Sequence, residues 1–529
     1  MSVSGFLPTR GPRLFSMLIT FTVGIVVLSP VVYIVFTAVQ SRPAGTLTVG
    51  TALVLAGKSL SLATLSTLWA MLLALPLAWL VVRTDMPLQN LCRWLAIIPL
   101  AIPSYIGALT YITLLGPVGM VNSELSHLRG VQTQWVNIYG CWGGIFVLGL
   151  FTFPYIFLLV TSALETTNPA IEETARSLGE GPAGVLRRVT IPMLRPSILA
   201  GGLLAFLYAL SDFGSLSLLR VHVFTTEIYH QLNTRFDQGA ASILSCVLVL
   251  LTITVLIGQQ MLLGQRSYTT VTGTARAARP VLLGQWRWAA CLVPAVVLGL
   301  SVFVPLAVLV SQAGALEQVH AVFQEQWVFF RNSLWTASLA ALVATVLGLL
   351  LAQTSHSLKG SIASRFTRIV QIGYAIPGTV LGLSLILLYN TYLPWLYGTV
   401  AMLVLAYLIR FLTQPLQGLE AALGSINPHL EEAARSLAAS PAVVLRRVLV
   451  PLLRPTLIAV WALVFISSMK ELDATLLLRP PGFDTLPVRV YIHTVEAEYS
   501  KAASLSLLLI AFTALPWLVV SRLRVRKVL

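Results

Sequence analysis

The chain has 529 residues, of which 57% are hydrophobic and only 10% are charged. Soluble domains carry roughly 25% charged residues, so the composition excludes a soluble enzyme or binding domain. The formal net charge of +15 would indicate a nucleic-acid partner in a soluble protein. Here the basic residues lie between apolar runs of about 20 residues, where they report membrane topology and not nucleic-acid binding.

Apolar runs predict twelve membrane-spanning helices, six in each half of the chain. The first run lacks a small-residue cleavage site and is long enough to span, so we interpret it as a retained helix and not a signal peptide. The pattern predicts an all-α membrane protein made of two parallel six-helix repeats. The predicted spans are 15–39, 59–82, 94–116, 139–163, 197–219 and 241–263 in the first half, and 288–311, 333–354, 369–389, 398–419, 456–478 and 502–521 in the second.

A polar segment at 265–287, rich in Thr, Ala and Arg, separates the halves and is predicted to be a cytoplasmic linker. Lys and Arg are concentrated before the first span, in this linker and in the C-terminal tail. Since cytoplasmic loops are enriched in these residues, both termini are predicted to be cytoplasmic. The first repeat covers 1–264 with a core at 55–263, and the second covers 288–529 with a core at 328–521.

One polar stretch occurs twice in register, at 168–196 and at 427–455, and the two copies are 259 residues apart. Both copies carry Asn-Pro, Glu-Glu, Ala-Arg-Ser-Leu, Leu-Arg-Arg-Val and Leu-Arg-Pro at the same spacing. The Asn of each copy is predicted to cap a short helix, which Gly179 ends in the first copy. A second short helix follows, and Pro192 or Pro451 is predicted to end it before the next span.

The repeated stretch resembles the EAA loop of ABC importer permeases, whose pattern is E-A-A-x3-G-x9-I-x-L-P. Thr174 and Ala438 depart from the pattern, which has Ala and Gly there. In that family the loop forms coupling helices that dock into the ATP-binding subunit, so the resemblance implies a type I ABC importer permease fold. The implied docking residues are Glu172, Glu173, Ala175, Arg176, Gly179 and Arg187 in the first copy, and Glu431, Glu432, Ala434, Arg435, Ala438 and Arg446 in the second.

The resemblance also implies partners and a location in the bacterial inner membrane. Two copies of an ATP-binding subunit would bind ATP and magnesium, and an extracytoplasmic binding protein would deliver the substrate. The chain has no G-x-x-x-x-G-K-[ST] phosphate loop, and we expect it to hold no cofactor and to catalyse no reaction itself. The alternative is that both loops merely lie on the lipid surface, but lipid anchoring does not require matched Asn-Pro, Glu-Glu and Arg-Arg positions.

A proline recurs in the third and ninth predicted spans. The residues Ala-Ile-Pro at 101–103 match Ala-Ile-Pro at 375–377, which is 274 residues later. Proline within a span kinks the helix and frees carbonyl groups that water or neighbours must satisfy. Pro103 and Pro377 are therefore predicted to shape the translocation pathway, with simple bending for packing as the alternative.

An acidic residue recurs in the fifth and eleventh predicted spans, as Asp212 and Glu471, again 259 residues apart. Ionisable residues are costly within a membrane and often line a substrate pathway. Near a two-fold axis, Asp212 and Glu471 are predicted to face a common pathway, together with Asp473. Because Lys470 is adjacent to Glu471, an internal ion pair is the alternative.

The segment at 470–486, KELDATLLLRPPGFDTL, resembles the K-E-L-P-A-T-L-L-L-R-P-x-G-F-x-T-L segment of ferric iron permeases, with Asp473 in place of Pro. The resemblance implies ferric iron as the cargo. Relatives that move thiamine, polyamines, sulfate or phosphonates leave another small solute as an alternative. An ion-gradient-driven secondary transporter is the alternative from another class, since parallel six-span halves suit it too.

Histidines near the external loops lack metal-ligand spacing such as H-x3-H, and the four cysteines are isolated, so no metal site is predicted. Tyr229 and Tyr491 are interpreted as interfacial aromatics and not as iron ligands.

Overall fold

The computed structural model describes residues 10–41, 48–130, 134–167, 169–263, 280–357, 367, 369–437 and 440–525. Within these ranges the regular structure is helical, apart from one isolated bridge between Thr84 and Val281. Ten helices are long and apolar enough to cross a membrane, and a bent pair makes an eleventh if counted as one span. A shorter apolar helix, Gly378–Tyr392, occupies the remaining predicted span. The predicted all-α membrane fold is confirmed.

The first half contains long membrane helices joined by short surface and re-entrant helices. Its helices are α1 (Arg10–Gln40), α2 (Val49–Arg83), α3 (Gln89–Leu95), α4 (Ser104–Leu115), α5 (Met120–Arg129), α6 (Cys141–Thr166), α7 (Pro169–Ser177), α8 (Pro182–Val185), α9 (Ile191–Ser211), α10 (Gly214–Leu218), α11 (Phe224–Asn233) and α12 (Gln238–Leu263).

The second half repeats this order. Its helices are α13 (Arg287–Ala290), α14 (Leu292–Leu298), α15 (Val304–Ala313), α16 (Leu316–Glu325), α17 (Trp327–Ser357), α18 (Gly378–Tyr392), α19 (Val400–Phe411), α20 (Thr413–Ser425), α21 (Pro428–Ser436), α22 (Pro441–Val444), α23 (Val450–Met469), α24 (Asp473–Leu478), α25 (Leu486–Val495) and α26 (Tyr499–Val525).

The first membrane helix of each half also packs against the other half. Helix α1 packs against α12 of its own half and against α17 and α18 of the second half. Tyr33 on α1 meets Tyr392 on α18 edge to face, with 5.8 Å between ring centroids. In the same way α15 packs against α26 and against α4 of the first half. These reciprocal contacts give the two halves a pseudo-two-fold relationship.

A matched pair of serines fixes the short helices α11 and α25 in the two halves. The Ser59 hydroxyl on α2 accepts a hydrogen bond of 3.1 Å from the Phe224 amide at the start of α11. The Ser333 hydroxyl on α17 accepts one of 2.7 Å from the Leu486 amide at the start of α25. Both bonds satisfy a first-turn amide that a helix leaves unpaired, so both short helices keep a fixed position inside the bundle.

The fifth and eleventh spans end earlier than predicted. Helix α9 stops at Ser211 and α23 at Met469, so the predicted ends at 219 and 478 are wrong. The chain then breaks and continues as the short helices α10 and α24. Charged residues follow each stop, Asp212 in the first half and Lys470 and Glu471 in the second, but apolar periodicity alone does not show that a side chain there caps a new helix.

The prolines of the third and ninth spans stand before helices and not inside them. Pro103 and Pro377 occupy the N-cap positions of α4 and α18, with extended ψ values of 147° and 142°. The predicted kinks are therefore wrong. Both spans are instead broken at proline, and a 3-10 turn precedes each break, at Ile98–Leu100 and at Gln371–Ala375.

The predicted linker at 265–287 is only partly described, because 264–279 lie outside the described residues. Its last part is anchored to the first half: the Val281 amide donates to the Arg83 carbonyl at 2.7 Å, and the Leu283 amide donates to the Asp85 carboxylate at 2.8 Å. A 3-10 turn at Gly284–Trp286 already begins the next span inside the predicted linker.

Candidate functional site

The first repeated loop folds as the predicted pair of short helices, α7 and α8. Gly179 ends α7 with a φ of +91°, a backbone conformation that glycine adopts without a Cβ clash. The Gly179 and Glu180 amides close the turn by donating to the Arg176 and Ala175 carbonyls at 3.0 and 3.1 Å. The predicted glycine stop is confirmed.

The predicted proline stop after the second short helix is wrong in both loops. Helix α8 continues through a π-helical turn, Leu186–Thr190, into α9, and α22 continues through Leu445–Leu449 into α23. Pro192 and Pro451 lie in the first turn of the following α-helix. Proline has no amide to contribute there, and the wider π turn shifts the carbonyls that its ring would otherwise meet.

Glu172 points into the fold. Its carboxylate accepts a hydrogen bond of 2.9 Å from the Thr190 hydroxyl and lies 3.5 Å from Arg83 Nη2, with the Arg83 and Glu172 side chains 4% and 6% exposed. Arg176, four residues later on the same helix, is 3.8 Å away on the outer side. Glu172 therefore links α7 to the end of α2 and does not lie on the outer surface of the loop.

The remaining polar side chains of the two loops face outward. Glu173, Arg176 and Arg187 are exposed in the first loop, and Glu432 and Arg446 in the second. Ala175 and Ala434 are half-buried beneath them. The side chains of Glu431 and Arg435 are not described, and Asn168 and Ala438 lie outside the described residues.

The second loop has the predicted cap. The Asn427 side-chain oxygen accepts a hydrogen bond of 3.0 Å from the His429 amide in the first turn of α21. His429 also lies 3.0 Å from Glu432, whose side chain is nonetheless 68% exposed. Both loops thus present a glutamate at the same register on a short helix.

A second site lies where the broken spans of the two halves meet, and we call it the seam. Asp212, in the break after α9, caps α10 by accepting a 3.0 Å hydrogen bond from the Ser215 amide. The Ser104 hydroxyl at the start of α4 donates to the other carboxylate oxygen. Tyr208 donates in turn to Ser104 at 3.1 Å. Asp212 is therefore buried but fully hydrogen-bonded by neutral groups.

Glu471 occupies the equivalent break after α23 and has a different partner. It accepts from the Ala474 amide at 3.1 Å, which caps α24, and from Arg410 Nη1 at 2.9 Å. The adjacent Lys470 does not pair with it; its ammonium donates to the Leu100 carbonyl of the first half at 2.6 Å. The alternative of an internal ion pair is thus realised, but with Arg410.

The two breaks abut. A Cβ on Gly214, two residues after Asp212, would stand 2.7 Å from the Leu472 side chain of the other half. Phe213 packs against Tyr229 of its own half and Tyr491 of the other, with centroids 4.6 and 6.0 Å apart. The two tyrosines therefore pack together with Phe213 at the seam.

Arg410 was missed by sequence reasoning, although a signal was present. It is an arginine inside the predicted span 398–419, and an intramembrane charge calls for a named partner. The repeat offset of 259 places Phe151 at the equivalent position, so a comparison of the two halves does not indicate a charged residue there. Tyr105 was missed for a different reason, because nothing in the apolar sequence around it marks its buried hydroxyl.

A group of possible metal ligands forms at the end of α25, where none was predicted. His493, Glu496 and Glu498 bring their ligand atoms within 4.8 Å of one another. His493 Nδ1 lies 2.6 Å from Glu498, and Lys501 lies 3.5 Å from the same carboxylate. The group is therefore explained by its own ion pairs.

Two interlocked repeats of membrane helices, with broken spans at a polar seam and two matched loops, define a transmembrane permease. Residues 67–266 and 344–526 match the family described as "Binding-protein-dependent transport system inner membrane component". Because the match covers most of both halves, the chain belongs to this family.

Several curated proteins are similar to the chain. It is 28% identical over 424 residues to the Fe(3+)-transport system permease protein FbpB 2 of Haemophilus influenzae, covering 79% of this chain and 80% of that protein. It is 26% identical over 444 residues to the ferric transport system permease protein FbpB of Actinobacillus pleuropneumoniae, covering 78% of this chain and 63% of that protein. The putative 2-aminoethylphosphonate transport system permease protein PhnV of Salmonella choleraesuis is 28% identical over 249 residues, which is 45% of this chain and 94% of that protein.

Proposed function

We propose that the chain is the permease subunit of an ATP-driven ABC importer whose cargo is ferric iron. The cargo assignment rests on the seam. Three carboxylates from the two halves lie near one another there, those of Asp212, Glu471 and Asp473. Carboxylate oxygens suit a hard cation. The names of two similar proteins, which are ferric transport permeases, support the same cargo.

An anionic cargo is the second candidate, because a phosphonate transport permease is also among the similar proteins. The charge of the seam argues against it. Asp212, Glu471 and Asp473 outnumber the two cations near them, Arg410 and Lys470, and an anion would be repelled where a trivalent cation would be held.

The two exposed loops suit the docking of two ATP-binding subunits, one on each. Those subunits would bind and hydrolyse magnesium ATP, and their closure would pull on α7 and α21 together. The seam would then open toward a binding protein docked on the opposite face, in the inner membrane, with both chain termini in the cytoplasm. Arg83 and Arg93 lie beside the first loop, paired with Glu172 and with Glu165 just before it, and this excess of arginine supports a cytoplasmic position for that loop.

The docking role is tested by reversing one charge in each loop, with Glu173→Lys and Glu432→Lys in the same chain. The expected result is loss of the ATP-binding subunit in a pull-down from membranes, because both exposed carboxylates lie at the same register of the two docking helices. Glu124→Lys on the exposed face of α5, at the other end of the bundle, is the matched control. Retained association and transport in the double variant would refute the docking role.

The cargo is tested with the permease, its ATPase and its binding protein reconstituted in liposomes. We expect ATP-dependent uptake of radioactive ferric citrate and no uptake of molybdate or 2-aminoethylphosphonate. Uptake of an anion in place of iron would overturn the cargo assignment. Uptake driven by a proton or sodium gradient without the ATPase would overturn the transporter class.

A further inference from the structure

The seam contains a positively charged side chain, Arg410. The Arg410 guanidinium is paired with Glu471 at 2.9 Å, and the two side chains are only 16% and 7% exposed. Asp473 is close enough to interact electrostatically with both of them. Arginine stays protonated in proteins, so this positive charge leaves the carboxylates only if the side chain moves.

A glycine makes room for this arrangement. A Cβ on Gly378, at the start of α18, would stand 1.9 Å from Arg410 Nη1 and 3.0 Å from the Glu471 carboxylate. The repeat offset of 274 places Ser104 at the equivalent position of the first half, where its hydroxyl donates to Asp212. In the second half the small Gly378 leaves space for the Arg410 guanidinium from another helix. In the first half the residue at this position, Ser104, itself donates the hydrogen bond to the carboxylate.

Two buried hydroxyls, near the starts of α4 and α18, lack hydrogen-bond partners among the described residues. Tyr105 and Thr379, which follow Ser104 and Gly378 in the two halves, are 3% and 0% exposed, and neither hydroxyl has a hydrogen-bond partner among the described residues. Buried polar groups are nearly always hydrogen-bonded, and an exception calls for an explanation. Tyr105 lies within electrostatic reach of Glu471 and Asp473. It adds an oxygen to the carboxylates around Arg410.

The helix that carries Arg410 is broken next to it. Helices α19 and α20 meet at Leu412 with a bend of 47°, two residues after Arg410. The equivalent helix of the first half, α6, runs unbroken from Cys141 to Thr166 and has Phe151 at the corresponding place. Helix α20 leads directly to Asn427 and the second coupling loop, so a pull on that loop acts on the joint beside the arginine.

We infer that Arg410 is the resting counter-cation of the cargo site, and that its guanidinium occupies the place among the seam carboxylates which the metal ion takes during transport. The inference rests on the proposed function. At rest the guanidinium neutralises Glu471 and closes the seam. When α20 moves against α19, Arg410 withdraws, and a trivalent cation replaces it on Asp212, Glu471, Asp473 and Tyr105. The return of Arg410 then helps to expel the cargo.

The inference is tested by iron binding and uptake with Arg410→Gln, Glu471→Gln and the double variant. In lipid nanodiscs without ATP or binding protein, we expect Arg410→Gln to bind ferric citrate about ten-fold more tightly than the parent chain. In the reconstituted transporter its uptake falls by about ten-fold, because no internal cation displaces the metal. The double variant should lack the tighter binding of Arg410→Gln, and Glu471→Gln alone should not bind more tightly than the parent chain, since both lack the Glu471 carboxylate.

Arg331→Gln, an exposed arginine on α17, is the matched control and should leave both readouts unchanged. Arg410→Lys covers the case in which Arg410→Gln does not fold: it keeps the charge but loses the planar guanidinium, and a smaller gain in iron binding is expected. Parental iron binding and uptake in a folded Arg410 variant would overturn the inference while leaving the proposed function intact. Absence of ATP-dependent iron uptake by the parent chain would instead defeat the proposed function.

Discussion

Two glycines of the first coupling loop lie two residues apart but have different backbones. Gly179 has a φ of +91°, whereas Gly181 has no left-handed φ, and a Cβ on either would meet open space. Any difference between their alanine variants therefore comes from backbone conformation and not from packing.

We expect Gly179→Ala to destabilise the end of α7 by about 1 kcal/mol, because a Cβ is strained in the left-handed region. The measurement is the affinity of the ATP-binding subunit for the variant, which should fall as α7 loses its fixed end. Gly181→Ala is the control and should bind as the parent chain does. Equal losses for both variants would remove the conformational explanation.

The carboxylate of Glu498, in the turn before α26, accepts a hydrogen bond from His493, which lowers the pKa of Glu498 below its ordinary 4.5. A group whose pKa is lowered by folding stabilises the fold above its ordinary pKa, and the contribution disappears as the pH falls through the folded value. Stability should therefore decline in acid below about pH 4.5.

Glu498→Gln should flatten that decline, as measured by thermal unfolding in detergent between pH 6 and pH 3. Glu496→Gln is the matched control, because its oxygen is 4.0 Å from the same histidine nitrogen, beyond hydrogen-bonding distance. An acid decline that is unchanged in Glu498→Gln would assign the effect to other carboxylates.

At the residue scale, the sequence predicted which acidic residues occupy equivalent positions but not which side chains they bond to. The offset of 259 identified Asp212 and Glu471 as equivalent, and the structure places both at the same break. Their partners could not be read, because Ser104 is 108 residues from Asp212 and Arg410 is 61 residues from Glu471. Only folding brings such residues together. The two halves also bond their buried carboxylates differently, with a serine hydroxyl in the first half and an arginine in the second.

At the scale of elements, the link between α7 and α2 distinguishes the first half from the second. Arg83 at the end of α2 is buried against Glu172 of α7, while the repeat offset of 274 places Ser357 at the equivalent position of α17. The first coupling helix is therefore tied to a membrane helix by an ion pair that the second half cannot form with this residue.

Removing one partner of a buried ion pair costs about 3–5 kcal/mol, so we expect Arg83→Met to lower the unfolding temperature and to reduce transport per ATP hydrolysed. The reason is that Glu172 would be left without its buried counter-charge. The control is Arg93→Met, whose partner Glu165 and own side chain are 48% and 37% exposed; such surface pairs contribute about 1 kcal/mol or less. Similar losses in both variants would mean that burial of the pair is irrelevant.

Helix content was predicted well from apolar periodicity, but the breaks within spans were not. Polar residues lie beside both, Asp212 at the break after α9 and Arg410 and Gln414 around the bend between α19 and α20, but a polar residue within a span does not by itself say that the helix stops there. Pro103 and Pro377 did mark breaks, yet the sequence could not say whether the helix bends at proline or starts anew after it, because both outcomes satisfy the same backbone restriction.

For the whole molecule, the assignment of both coupling loops to one face is the most direct test of the architecture. Single cysteines are introduced as Arg187→Cys and Arg446→Cys in a chain otherwise free of cysteine. Both should react with a membrane-impermeant maleimide only from the cytoplasmic side. The native Cys141, exposed at the opposite end of α6, should react only from outside when it is the one cysteine retained. Labelling of positions 187 and 446 from opposite faces would contradict parallel repeats.

The exchange of first helices also constrains how the chain is made. Helix α1 is synthesised before α17 and α18, against which it packs, and these follow only after the rest of the first repeat and the linker. Until then lipid covers that flank of α1, and the high mean hydropathy of 2.4 over Met17–Gln40 allows the helix to remain there. Biogenesis therefore ends with a late docking step, and a chain interrupted before Tyr392 would retain an unmatched α1 that membrane quality control could recognise.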